Sequence, residues 1–203
     1  MKTVFLHGLG QTAKAWEAVL AQCPECEADC PELFLLSPSK HTYSAVLAAL
    51  EDRYAAEKKP FLLCGLSLGA MLALDYAARH PDKAAALVLI GAQDGAPKFL
   101  LSLQNFLFRC MPQKVFAKMG LPKQAVLELT QSMRMLDLRG AASRVKCPVV
   151  LLCGERDKAN RKAAERLHRR MLQSKLKVVQ GAGHEVNIEA PEAAAAVVRE
   201  MLL

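Results

Sequence analysis

Phe61-Leu62-Leu63-Cys64-Gly65-Leu66-Ser67-Leu68-Gly69 is the stretch on which the reading of this chain turns. The apolar run Phe61 to Cys64 predicts a strand, and Leu68 to Arg79, closed by His80-Pro81, predicts a helix. Between them lies G-x-S-x-G. A serine forced through so sharp a strand-to-helix turn takes up strained dihedrals, and its hydroxyl points out of the sheet. Glycines two before and two after keep side chains from colliding there. The helix N-terminus beside Ser67 also favours a developing negative charge. In this setting Ser67 reads as a nucleophile, where the same glycines in isolation would mark only a turn.

The same rhythm runs outward in both directions. Thr3–Leu6, Leu33–Leu36, Phe61–Cys64, Ala86–Ile90, Val149–Leu152 and Lys177–Gln180 read as six strands. Helical patterns at Ala13–Ala21, Ser44–Glu57, Leu68–Arg79, Arg161–Leu172 and Pro191–Leu203 separate or follow them. Short apolar strands alternating with helices predict an α/β fold with a mainly parallel sheet. Runs such as Leu87-Val88-Leu89-Ile90 do not alternate polar with apolar, as expected of strands covered on both faces. From about 93 to 143 the rhythm breaks into short helices punctuated by Pro97, Pro112, Gly120, Pro122 and Gly140, which reads as an inserted helical cap. The insert carries four of the seven Phe and four of the eight Met, suited either to lining an apolar pocket or to packing the cap onto the sheet.

A serine hydroxyl needs a base. His80 reads as a helix end, His168 as part of a basic helix, His41 as a helix start and His7 as the residue after the first strand. His184 instead follows the last strand on a Gly181-Ala182-Gly183 loop, which puts it at the carboxyl edge of the sheet, free of any helix. The base needs an acid to hold its tautomer. Asp157, after the fifth strand on Gly154-Glu155-Arg156, fits best; Asp94, Asp137 and Glu155 compete, and a helix cap or a salt bridge to Arg156 or Arg161 is the alternative reading of Asp157. An oxyanion formed at Ser67 would need two donors. The backbone N–H of Leu68 and that of Leu9, in His7-Gly8-Leu9-Gly10-Gln11, are the candidates.

With these motifs in order, the chain resembles the α/β-hydrolase superfamily, in the group with a helical cap after the middle of the sheet. The likeness spans nearly the whole chain: His7-Gly8-Leu9-Gly10, the turn at Ser67, Gly154 to Asp157, and Gly181-Ala182-Gly183-His184 followed by Glu189-Ala190-Pro191-Glu192. It implies a triad of Ser67, Asp157 and His184 at the carboxyl edge with the cap above. Two strands usual before the oxyanion-loop strand are absent, so a reduced sheet of about six strands is expected. The implied activity is hydrolysis of a carboxylic ester or thioester with a small to medium acyl group, without cofactor or metal. C–C bond cleavage or elimination by the same triad, as in one menaquinone-pathway lyase, and a non-catalytic ligand-binding homologue are the alternatives.

Composition bounds the rest. The 203 residues suit one domain spanning 1–203, and 52% apolar with 23% charged residues is the balance of a folded chain. The uncharged stretch Phe61–Leu74 is shorter than the roughly 18 residues that span a bilayer, and Val4-Phe5-Leu6 is too short for a signal core, so a cytoplasmic protein without stable membrane insertion is expected. An interfacial helix near Phe99–Phe108 is the membrane-surface alternative. Seven cysteines, Cys64 and Cys153 among them inside strands, suit a reducing compartment. Cys23, Cys26 and Cys30 lack a second ligand pair at metal-binding spacing, and with Glu25, Glu27 and Asp29 around them they read as reduced surface thiols on an acidic loop. The net charge of +7 is uneven: Lys98–Lys146 carries +7, Glu155–Lys177 carries +6 and the remainder −6. Without interleaved aromatics this does not suggest nucleic acid. A basic, apolar cap suggests an acyl group with an anionic end. The sequence does not fix an oligomeric state.

Overall fold

A computed structural model of the chain describes residues 1–95, 112, 113, 116 and 122–203. Six parallel strands form one sheet: β1 Lys2–Leu6, β2 Glu27–Asp29, β3 Phe61–Leu66, β4 Ala84–Ile90, β5 Val149–Gly154 and β6 Ser174–Val179, in the order β2-β1-β3-β4-β5-β6. Central strands are buried along almost their whole length and feed two separate apolar layers. Phe61, Leu63, Leu87, Leu89, Val149 and Leu151 face one side, while Leu62, Cys64, Val88, Ile90, Val150 and Leu152 face the other. This is the period-two alternation of a strand with both faces covered. Each of these aliphatic side chains contributes roughly 1.5–3 kcal/mol by leaving water.

The first layer is closed by α3 Tyr43–Arg53, α4 Leu68–Arg79 and α7 Lys158–Arg170; the second by the short α1 Glu17–Leu20 and by α9 Pro191–Leu202. α2 Leu33–Leu36, α5 Lys123–Ser132, α6 Arg139–Arg144 and α8 Val186–Glu189 complete the described helices. The chain leaves β1 towards β2 and returns across it to β3. The reversal of winding therefore falls between the carboxyl ends of β1 and β3, where such sheets open a crevice. The loop after β1 and the turn at Ser67 meet at that point.

Two local readings need correction. Leu33–Leu36 is a single helical turn, and the second strand is Glu27–Asp29. An edge strand pairs on one side only and faces water, so it is polar and escapes a search for apolar runs. Leu33 and Phe34 point inward while Leu35 is exposed, a pattern a helical turn satisfies as well as a strand. The cysteine cluster is likewise no set of surface thiols. Cys23 is buried, and Cys26 and Cys30 pack half-buried against the second layer. Burial, with Asp29, Cys26 and Glu32 nearby, pushes the Cys30 thiol up to about 11.

The described residues of the segment 93–143, expected to be an inserted cap, include α5, a 3-10 turn at Met133–Met135, α6 and an isolated antiparallel bridge between Gly95 and Asp137. The Tyr43 N–H donates to Ser132 Oγ at 2.8 Å, and α6 packs on α4, so this part of the segment is fastened to the first layer. Phe116 is buried, whereas Phe99, Phe106, Phe108, Met111 and Met119 lie outside the described residues.

His7, fully buried at the end of β1, is held neutral. Its Nδ1 lies 2.9 Å from the Gly8 carbonyl and acts as donor, because Nε2 accepts the Leu33 N–H at 3.1 Å. Burial depresses its pKa, against a smaller opposing pull from the Gly8 hydrogen bond and Glu32. A histidine with a folded pKa below its unfolded one binds fewer protons folded than unfolded. Stability is therefore lost as pH falls through about 6.5 towards the folded value. Between about pH 7.5 and about pH 5 the melting temperature is expected to drop less in His7→Gln than in the wild type. Equal drops would show that His7 is not the responsible group.

Candidate active site

Ser67 stands at the carboxyl end of β3 with φ 52° and ψ −109°, the one non-glycine residue at positive φ among those described. Such a conformation costs on the order of 1–3 kcal/mol and persists because its surroundings impose it. The Ser67 N–H donates to the Ile90 carbonyl at 2.8 Å and its carbonyl accepts from Met71, pinning the turn from both sides. The flanking glycines are steric necessities. A Cβ on Gly65 would lie 2.4 Å from the Gly69 carbonyl carbon, and one on Gly69 would lie 2.0 Å from the Leu6 carbonyl oxygen. The turn can thus pack α4 down onto β1 only without those side chains.

The Ser67 hydroxyl makes no hydrogen bond among the described residues, and the residue is half-buried. Beside it, the Leu68 N–H begins a twelve-residue helix and has no acceptor among the described residues. Across the crevice, the Gly8 N–H is taken by Gln11 Oε1 at 3.2 Å, which leaves the Leu9 N–H as a donor without a described partner.

Asp157 and His184 come together at the ends of β5 and β6. His184 Nδ1 is 2.6 Å from Asp157 Oδ2, with the carboxylate almost entirely buried and the imidazole partly exposed. A bond from Nδ1–H to Asp157 leaves the Nε2 lone pair directed away from the carboxylate. Asp157 also caps α7: its Oδ1 accepts the Asn160 N–H at 3.4 Å, so the capping alternative and the partnership with His184 hold together. Asn160 Nδ2 lies 2.8 and 2.9 Å from the two carboxylate oxygens.

Gly91 connects this pair to the serine turn. It follows Ile90, to which Ser67 is bonded, and a Cβ there would sit 2.8 Å from His184 Cε1 and 3.7 Å from Asp157 Oδ2. With φ +59°, Gly91 bends the end of β4 out of the way of the ring. The ends of β3, β5 and β6 therefore present Ser67, Asp157 and His184 around the end of β4.

The competing acids stand elsewhere. Asp94 is buried against Arg166, whose Nε and Nη2 lie 3.0 and 2.8 Å from its oxygens. Burial alone would raise its pKa; the hydrogen bonds and charge of Arg166 outweigh that and hold it below the usual carboxylate range. Asp137 pairs with Arg139, and Glu155 accepts from the Gly181 N–H.

Several contributors were not singled out from the sequence. Glu189 receives the N–H groups of Gly183 and Glu185, on either side of His184, at 2.8 and 3.2 Å. It also pairs with Arg156, so it links the loop of the base to the loop of the acid. Its pKa is lowered first by the Gly183 N–H and then by Arg156 and the Glu185 N–H. Asn160 was legible in principle, as a polar residue three positions into a helix capped by Asp157. Gln11 and Asn187 were not, because 176 residues separate them.

Comparison with known proteins agrees with this architecture. The chain is 30% identical over 195 residues, 77% of its length and 74% of the relative's, to a pimeloyl-[acyl-carrier protein] methyl ester esterase of Neisseria meningitidis serogroup B. It is 28% identical over 98% of its length and 90% of the relative's to a 2-succinyl-6-hydroxy-2,4-cyclohexadiene-1-carboxylate synthase of Enterobacter. The crystal structure of an enol-lactonase from Burkholderia xenovorans superposes with a TM-score of 0.83 at 16% identity, over 99% of this chain and 90% of that one. The sequence profile of the alpha/beta hydrolase family matches residues 3–197, almost the whole of the sheet and both of its helical layers, and the chain belongs to that family.

Proposed function

We propose that this chain hydrolyses a carboxylic ester or thioester of a small to medium acyl group through an acyl-enzyme on Ser67. The observation that carries the reading is the 2.6 Å Asp157–His184 pair on the rim where the strained Ser67 turn opens. His184 Nε2 accepts the Ser67 hydroxyl proton as Oγ bonds to the acyl carbon. The oxygen of the tetrahedral adduct takes the Leu9 and Leu68 N–H groups. Collapse of the adduct breaks the bond to the leaving group, which leaves with the proton from His184. Water then repeats the sequence on the acyl-enzyme, the acid is released and Ser67 regains its proton. Asp157 holds Nδ1–H and stabilises the imidazolium in both halves.

The end of β4 adds a clue about substrate. A cleft of ≈ 430 Å³ lies there, bordered by Asp94, Asp137, Arg134, Arg139 and Arg166. Arg139 and Arg166 face carboxylates, and Arg134 has no ion pair among the described residues. None of these lining residues is Ser67, Asp157, His184, Leu9 or Leu68; an acyl chain long enough to reach the cleft would present its end to a guanidinium that favours an anion. Paired p-nitrophenyl esters of a neutral acid and of a dicarboxylic acid of equal length test this. A higher kcat/KM for the anionic ester that declines with added salt is expected. Equal efficiency, or preference for the neutral ester at low salt, removes the charge argument. A second reading, C–C cleavage or elimination by the same three residues, is favoured by the synthase relative, which this chain matches over 98% of its length. A burst of p-nitrophenol followed by steady turnover supports acyl transfer; complete absence of ester turnover supports the second reading.

Six cysteines among the described residues are free, which supports a reducing, cytoplasmic setting. No described helix is long and apolar enough to cross a membrane.

A further inference from the structure

Gln11 is buried and reaches two loops at once. Its Oε1 accepts the Gly8 N–H at 3.2 Å, while the Gln11 N–H donates back to the Gly8 carbonyl at 3.2 Å. The side chain and backbone of one residue thus close the loop that presents the Leu9 N–H. Its Nε2 donates to Glu185 Oε1 at 2.9 Å, and Glu185 is the residue after His184. Asn187, fully buried, completes the arrangement by donating to Gln11 Oε1 at 3.3 Å and to the Ala15 carbonyl at 3.0 Å.

From this we infer that Gln11 is a positioning residue that fixes the loop carrying the Leu9 donor relative to the loop carrying His184. The inference rests on the hydrolase reading, in which those two loops act on the same tetrahedral centre. A buried amide left half-paired costs more than an apolar side chain filling the same space. The described partners of the Gln11 side chain are Gly8, Glu185 and Asn187, on the two loops and at the start of the helix after His184. Neither loop shifts without either dragging the other or breaking one of these hydrogen bonds. Gln11, with Asn187 beside it, thereby ties the loop of the proton acceptor to the loop of the oxyanion donor.

The test uses hydrolysis of p-nitrophenyl acetate and inhibition by a short alkyl trifluoromethyl ketone, which forms a tetrahedral adduct with an activated serine. In Gln11→Ala, kcat is expected to fall about tenfold to a hundredfold with KM within about threefold, the scale of a sub-ångström misplacement. Affinity for the ketone should fall by the same factor as kcat/KM, because both report the tetrahedral state. In Gln11→Glu the acceptor for Gly8 remains but a carboxylate faces Glu185, so activity drops. Adding Glu185→Gln returns a donor across the gap, and the double variant should recover most of it. A double variant no better than Gln11→Glu, or ketone affinity unchanged while kcat falls, overturns the inference. If Gln11→Ala does not fold, the double variant still decides. Wild-type protein that neither turns over the ester nor binds the ketone removes the hydrolase reading itself and the inference with it.

Discussion

Ser67→Ala is expected to lower ester hydrolysis by about 10⁶-fold, the scale seen when the nucleophile of a serine-hydrolase triad is removed, and to leave the fold intact. Both halves of this expectation follow from the geometry. The hydroxyl has no hydrogen bond among the described residues, so its loss leaves no described buried partner unsatisfied. The turn is held by backbone bonds to Ile90 and Met71, which alanine keeps. Alanine at φ 52° is also no better accommodated than serine, so the strain stays and the melting temperature should move little. Glycine relieves that strain. Ser67→Gly should be equally inactive yet more stable by roughly 1 kcal/mol or more. Turnover of p-nitrophenyl acetate and thermal unfolding of the three proteins check this together. More than about one percent residual activity in Ser67→Ala would mean that another group attacks the ester.

The contrast between a strained Ser67 and an ordinary fold around it explains how much could be read from the chain. The central strands were legible because they are buried on both faces, and β3 and α4 were legible to within two residues because Gly65 and Gly69 bracket the turn. The start of β6 lies three residues before the expected one because Ser174 and Lys175 open the strand and Lys177 follows Leu176, a largely polar run on a half-buried edge. β2 was missed because Glu27-Ala28-Asp29 carries no apolar signal, and the adjacent Leu33–Leu36 drew the assignment instead. In the candidate site, the side chains at strand ends were legible from loop position. The groups that hold them were not: Gln11, Asn187 and Glu189 act through contacts between distant loops, and Gly91 matters only because an imidazole lies against it. Local pattern locates the candidate side chains at the ends of strands. Their supports are set by three-dimensional proximity, which periodicity does not encode.

The second large effect concerns the acid. Asp157→Asn is expected to lower kcat by about 10⁴-fold, more than loss of one hydrogen bond would suggest. The reason lies in Asn160. Its backbone N–H donates to Asp157 Oδ1 at 3.4 Å, while its Nδ2 lies 2.8 and 2.9 Å from Oδ1 and Oδ2 and 3.1 Å from His184 Nδ1. In the variant, the helix-capping N–H of Asn160 keeps the amide oxygen at the Oδ1 position, which turns the amide NH₂ into the position of Oδ2, 2.6 Å from His184 Nδ1 in the wild type. Two donors cannot face each other there. His184 must accept at Nδ1 and carry its proton on Nε2, the tautomer that cannot take a proton from Ser67. Asp94→Asn separates this from a general loss of acidity beyond the end of β4. It weakens the pair with half-exposed Arg166 and should cost roughly 1–2 kcal/mol of stability while leaving kcat within about threefold. Reversed outcomes, with Asp94→Asn inactive and Asp157→Asn active, would move the acid to the end of β4. Asp157→Asn losing activity only in proportion to its stability would reduce Asp157 to the cap of α7. The expected result instead dissociates the two, because the carboxylate that starts a helix also decides which nitrogen of His184 is free.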